Sequence, residues 1–214
     1  MQDIPAERAA ELIDALARAL GRDVAEPVRV SLCEYAALVA KWNRTINLTG
    51  AHEPVTLAEV LFADAFVLAD PELVPVGARV LDVGSGAGAP IVPLLLLRAD
   101  LSALCVEPLG KRATFLRMLS GRLPLLPRLR VREARLDPED PGQLGETFDV
   151  AGSRATFEPE RWLALGLALA PRVLVMVASA PPPEAPPGAR LLRASDYRLP
   201  FSGAPRRVCI YLRE

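Results

Sequence analysis

Apolar residues recur at helical spacing in the first third of the chain. After that, short apolar runs alternate with helical stretches. Over residues 7–20 the positions Ala9, Leu12, Ile13, Leu16 and Leu20 share one helical face, and Gly21 ends the run. Residues 28–42 repeat the pattern through Leu32, Tyr35, Ala36, Leu38 and Val39, then enter the turn-rich segment 43–50. A third helix is expected over residues 55–68. Residues 1–70 therefore read as an N-terminal helical cap. Past Pro71 and Pro75 the rhythm changes. Strands are expected at residues 79–83, 102–106, 129–131, 148–152 and 172–178, with helices near 91–98, 111–123 and 159–170 between them. Such alternation predicts an α/β fold over residues 71–214, a mostly parallel sheet with helices on both faces. The proline-rich segment 181–188 reads as a stiff surface loop. Residues 189–193 and 207–212 read as a closing antiparallel hairpin.

Composition narrows this little. The chain has 214 residues, 51% hydrophobic and 24% charged, enough for one sizeable core with a helical extension. Its most apolar window, residues 162–180, is long enough to raise the question of a membrane span, but Pro171-Arg172 splits it into a helix-like and a strand-like half, which indicates buried core. The opening Met1-Gln2-Asp3-Ile4-Pro5 has neither a basic nor an apolar region, so no signal peptide is expected there. Cys33, Cys105 and Cys209 are far apart and odd in number, which fits small core residues in a reducing cytoplasm. His52 is the only histidine and has no second ligand nearby, so no metal site is expected. The net charge of -1 does not advertise nucleic-acid binding by the whole molecule. Its distribution does more: residues 111–135 hold eight basic residues (Lys111, Arg112, Arg117, Arg122, Arg128, Arg130, Arg132 and Arg135) against one acid, Glu133. Such a run can track a phosphate backbone or form a solvated face.

The chemistry concentrates where the first strand ends. Val80-Leu81-Asp82-Val83 runs into Gly84-Ser85-Gly86-Ala87-Gly88. Glycines at every second position let the backbone turn tightly and let a ligand approach it. A nicotinamide fingerprint is Gly-x-Gly-x-x-Gly; the spacing Gly-x-Gly-x-Gly after Asp82 instead resembles the cofactor loop of class I methyltransferases, which use S-adenosylmethionine. Glu107 lies 19 residues beyond Gly88, at the end of the next apolar run, where a second parallel strand would present a carboxylate to a ribose. In that reading Gly84 and Gly86 pass beneath the cofactor's amino-acid part, Asp82 steadies the loop or the ammonium group, and Glu107 takes the ribose hydroxyls. Lys111 and Arg112 open a helix, where cations oppose the macrodipole and an RNA phosphate would relieve them. A strand that ends in Ser153-Arg154-Ala155 makes Arg154 a further candidate, since ligands sit at the carboxyl ends of such strands. No nucleophile–histidine arrangement can be assembled, and the sequence nominates no catalytic residue.

Taken together these residues resemble the bacterial small-subunit ribosomal RNA methyltransferase G family, also called glucose-inhibited division protein B. The resemblance runs from about Tyr35 to Leu212. It rests on Trp42-Asn43 with Ile46-Asn47-Leu48-Thr49, on the loop from Asp82 to Gly88 with Pro90, on Glu107 with Leu109-Gly110-Lys111-Arg112 and Phe115-Leu116, and on Ser153-Arg154-Ala155. It implies methylation of guanine N7 in small-subunit ribosomal RNA with S-adenosylmethionine. By the same resemblance Gly84 and Ala89 line the cofactor site, Glu107 and Pro108 hold its ribose end, Leu136 and Asp137 flank the adenine, and Arg154 contacts the cofactor region. Lys111, Arg112 and Arg117 are the residues expected to meet RNA. The expected partner is ribosomal RNA or the small-subunit particle, with neither membrane nor metal, the protein itself being a cytoplasmic monomer. The chain departs from the family pattern at Ala89-Pro90-Ile91-Val92-Pro93, at Val60-Leu61 and Ala65 where only Asp64 of the family's segment is kept, at Leu136-Asp137, and from Pro171 to Ala178, which lacks the expected Gly-Gly and Lys. A methyltransferase-fold protein acting on another RNA or a small molecule, or binding without turnover, stays open at this level.

Overall fold

The structure, a computed structural model, describes residues 6–137 and 140–214. The leader-free reading of Met1–Pro5 lies outside them. Seven strands form one sheet in the order β3-β2-β1-β4-β5-β7-β6: β1 (Arg79–Val83), β2 (Ser102–Glu107), β3 (Leu129–Glu133), β4 (Val150–Ser153), β5 (Arg172–Val177), β6 (Ala189–Arg198) and β7 (Pro205–Arg213). The first five are parallel to one another. β7 joins β5 antiparallel, and β6 closes the edge against β7. The strand order reverses between β1 and β4. In open α/β sheets that switch point leaves a crevice at the carboxyl ends of the strands. Both the glycine loop and Arg154 leave the sheet there.

The strands carry apolar residues on both faces because helices cover both. Val80, Ala103, Cys105 and Val150 point into one core, which they share with α1 (Ala6–Ala19), α2 (Glu26–Ile46), the helical segment 54–68, α5 (Ile91–Leu97) and α6 (Gly110–Arg122). Leu81, Val83, Leu104 and Val106 point the other way, toward α7 (Pro159–Leu169). The period of two therefore sends Asp82 to the cap side, opposite Cys105 in the β1–β2 register. Trp162 Nε1 donates to the Leu174 carbonyl at 2.8 Å, so its ring is buried without an orphaned donor. Among the described residues no helix is long and apolar enough to cross a membrane, and the 162–180 window divides into α7 and β5.

Three local readings change. Helix α2 continues past Trp42 to Ile46 and stops where Asn47 takes a left-handed φ of 51°. The Asn43 side chain, still helical, brackets the following turn by donating to the Thr49 carbonyl and accepting from its N–H, each at 2.8 Å. The expected third helix is three pieces in one line: α3 (Pro54–Ala58), a π-helical turn (Glu59–Ala63) and α4 (Asp64–Leu68). The closing hairpin is longer than its apolar runs, because β6 is an edge strand whose outward residues are polar or half-exposed. The proline segment is a surface loop, as expected, anchored at the buried Pro183, whose carbonyl accepts from Tyr211 Oη at 2.5 Å.

Candidate active site

At the end of β1 the chain turns through Gly84, Gly86 and Gly88 with φ of 75°, 54° and 87°, all in the left-handed region that side chains resist. The Gly84 N–H donates to the Val106 carbonyl at 2.8 Å, which extends the β1–β2 ladder into the turn. A Cβ on Gly84 would stand 2.2 Å from Thr156 Oγ1, so the loop lies hard against the turn after β4. A Cβ on Gly86 would meet nothing nearer than the Gly84 carbonyl at 3.9 Å. The space over Gly86 is open, and a side chain there would fill it.

Two carboxylates flank the loop. Glu107, at the end of β2, is only 2% exposed. Its Oε2 accepts from Gly86 N–H at 2.9 Å and its Oε1 from Leu109 N–H at 3.0 Å. These bonds fix the carboxylate plane and leave each oxygen lone pairs for an incoming hydroxyl. Asp82 is 4% exposed, and its Oδ2 has no hydrogen-bond partner among the described residues. Burial pushes its carboxyl up to about 6; the Ser85 hydroxyl and the Arg154 guanidinium oppose the rise, and the Glu107 carboxylate adds to it. An orphaned buried carboxylate oxygen beside an open glycine cradle fits a cationic ligand group. The buried Tyr35 of α2 braces the loop by donating to the Ala87 carbonyl at 3.0 Å.

Arg154, after β4, reaches the cap. Its Nη1 donates to the Val60 carbonyl and to Asp64 Oδ2, each at 2.8 Å. Asp64 Oδ1 accepts from Tyr197 Oη at 2.5 Å. Arg154 thus ties the switch point to the helical segment, and its charge is felt at Asp82.

Of the residues expected at the cofactor, Asp82, Gly84, Gly86, Gly88 and Glu107 come together at one loop. Ala89 is buried directly after it. Pro108 is exposed beside Glu107. Leu136 is buried in the core on the α7 side, and Asp137 beyond it is exposed, its backbone bracketed by the Gln143 amide. The basic run is mostly occupied. Arg117 pairs with Glu133 and Arg122 with Glu34; Arg130 and Arg132 converge on Glu146, and Arg128 caps the carbonyls of Leu95, Arg98 and Leu101. Arg112 Nη2 donates to the Asn47 carbonyl and so pins the end of α2. Lys111 is exposed without a partner among the described residues. The patch is less free than a count of charges suggests, because most of its guanidinium groups already have partners within the fold.

The family model of rRNA small subunit methyltransferase G matches residues 29–177, from α2 through β5. The chain belongs to this methyltransferase family. Every element that carries the loop, Glu107 and Arg154 falls inside the match. The ribosomal RNA small subunit methyltransferase G of Anaeromyxobacter dehalogenans strain 2CP-C is 37% identical, over 94% of this chain and 97% of that protein. Its namesake from Myxococcus xanthus is 32% identical, over 92% and 94%. Solved structures share the fold at lower identity. The Escherichia coli protein yhhF superimposes with a TM-score of 0.53 at 18% identity, covering 69% of this chain and 84% of its own. TrmN of Thermus thermophilus does so at 0.50 and 19% identity, covering 74% and 48%. The fold is that of class I methyltransferases, as the loop spacing implies.

Three residues of this family member escaped sequence reasoning. Tyr35 looked like a core position on a helical face, and Tyr197 lay between the two runs of the expected hairpin, in what is β6 in the structure. Glu59, 4% exposed, is an acid on an otherwise apolar helical face. That mismatch was the one available signal for it.

Proposed function

We propose that this chain transfers the methyl group of S-adenosylmethionine to N7 of a guanine in small-subunit ribosomal RNA. The observation that carries the cofactor half is Asp82 Oδ2, buried, unpartnered and set beside the open cradle over Gly86. Family membership carries the RNA half. Bound at this loop, S-adenosylmethionine supplies an electrophilic methyl on a positively charged sulfur. Ionised Asp82 offers the α-ammonium group a charge partner, and Glu107, held flat by Gly86 and Leu109, accepts from the ribose hydroxyls. The glycine loop brings backbone rather than side chains against the ligand, and the Arg154–Asp64 pair holds the cap over the switch point.

Guanine N7 has an in-plane lone pair and no proton, so no residue has to accept one. The protein's contribution is then alignment in a site shielded from water, which supplies up to roughly 7–11 kcal/mol of such a barrier. Calorimetric titration with S-adenosylmethionine and its demethylated product should give one site per chain. Labelled methyl should then appear in small-subunit RNA, on guanine. Unchanged N7 methylation in a strain that lacks the gene would rule the proposal out.

A further inference from the structure

Beside the loop, on the far side of the Arg154–Thr156 turn, lies a cavity of about 390 Å3. Its volume lies within the small-molecule range of about 300–1,000 Å3. Met176 and Leu199 give it apolar walls, while Glu59, Asp64, Arg154 and Tyr197 supply the polar groups. Asp64 is spent on Arg154 and Tyr197. Glu59 is not. Its Oε1 accepts from the N–H groups of Phe201 and Ser202 at 2.6 and 2.9 Å, which lock the carboxylate to the β6–β7 loop. Its Oε2 has no partner among the described residues, although the residue is 4% exposed and lines the cavity.

The backbone is arranged to bring this about. In an α-helix, residues five apart point about 140° away from each other. Glu59 and Asp64 nevertheless line one cavity, because the turn between them is π-helical and its i→i+5 pattern stacks such residues. π-Turns of this kind are concentrated at functional sites.

We propose that this cavity receives the target base, flipped out of the RNA, with Glu59 Oε2 accepting hydrogen bonds from the N1–H and 2-amino edge of a guanine. Only guanine among the four bases presents two adjacent donors there; adenine presents an acceptor at N1, which a carboxylate repels. A base seated in this way stands next to the cofactor loop, because Thr156 packs on Gly84 while Arg154 and Ala155 line the cavity. The inference rests on the methyl-transfer reading for its biological meaning, and Glu59 acts in it as a base-recognition residue.

The test uses Glu59→Gln, which keeps a carbonyl oxygen for the Phe201 and Ser202 N–H groups and replaces the free oxygen by a donor. With protein saturated by the demethylated cofactor, saturation-transfer NMR should rank guanosine above inosine, which lacks the 2-amine, and inosine above adenosine. Glu59→Gln should flatten that order. It should also lower kcat/KM for methyl transfer to small-subunit RNA about 10- to 100-fold, as for the loss of a hydrogen bond to a charged group. Affinity for S-adenosylmethionine should change less than twofold. Met176→Trp, which fills the cavity and leaves Glu59 untouched, should abolish the guanosine signal; it serves as the test if the Gln variant does not fold. Unchanged nucleoside ranking in the variants, or transfer at the wild-type rate, would overturn the base pocket and leave the methyltransferase reading standing. Glu59-dependent guanosine binding without methyl transfer to any RNA would do the reverse.

Discussion

Replacing Asp82 with asparagine should stabilise the protein against pH while weakening its hold on the cofactor. A carboxyl raised from the ordinary 3.8 to about 6 stores about 3 kcal/mol of unfavourable ionisation at pH 7. The sign follows from proton counts. Between pH 3.8 and 6 the folded chain keeps the Asp82 proton while the unfolded chain has lost it, so this residue's contribution to stability falls as pH rises. Above about 6 both states are ionised and the full penalty is present. Asparagine carries no charge, so its advantage over aspartate should grow by about 1.4 kcal/mol between pH 5 and pH 7.5. In a chain of this length that is about 3–6 °C in Tm. The absolute advantage is smaller than 3 kcal/mol, because the new amide leaves a buried donor unpaired at a cost of about 1–3 kcal/mol. The pH-dependent part is free of that offset. Urea unfolding of both proteins at four pH values measures it. Calorimetry on the same samples should show the variant binding S-adenosylmethionine about 10- to 100-fold more weakly at pH 7.5, the value of a hydrogen bond to a charged group. Wild-type affinity should fall below pH 6 and the variant's should not. A stability gap that stays constant with pH, or equal cofactor affinity, would refute the assignment of Asp82 as a strained carboxylate awaiting a cation.

Gly86→Arg should abolish S-adenosylmethionine binding in calorimetry, since the side chain enters the open space over the loop; its φ of 54° adds about 1–2 kcal/mol of destabilisation in urea. Retained micromolar binding would show that the cofactor lies elsewhere. Arg154→Met leaves Asp64, whose side chain is 7% exposed, with Tyr197 alone, and should cost about 2–4 kcal/mol in urea unfolding, part of which Asp64→Asn restores. A cost under about 0.5 kcal/mol would mean that the bridge does not hold the cap. Lys111→Ala should leave stability within about 0.5 kcal/mol while weakening small-subunit RNA binding and reducing the salt slope by about one. An unchanged slope would take Lys111 off the RNA.

The sequence disclosed the loop and withheld the cavity beside it, for physical reasons that can be named. β1, the glycine spacing and Glu107 are local signals. A strand's period, a turn's need for positive φ and a carboxylate at the next strand's end can each be read within a few residues. The fate of a charge cannot. Eight cations in residues 111–135 read equally as an RNA track or a solvated face, yet Arg130 and Arg132 meet Glu146, and Arg122 meets Glu34, which lies 88 positions away in the chain. Only tertiary contacts separate an arginine that serves the fold from one free to meet phosphate. Glu59 is the harder case, because its direction depends on a π-turn that no proline or glycine at residues 59–63 marks. What the sequence did offer was an acid on an apolar face, a local rule broken without visible compensation. Asp82 broke a rule of the same kind, a charge inside a buried strand. Among the described residues both acids keep one oxygen without a partner, Asp82 Oδ2 beside the loop and Glu59 Oε2 at the cavity next to it. Two buried acids, each with an oxygen left over, are what the proposed reaction asks for: Asp82 for the cofactor's ammonium group and Glu59 for the base.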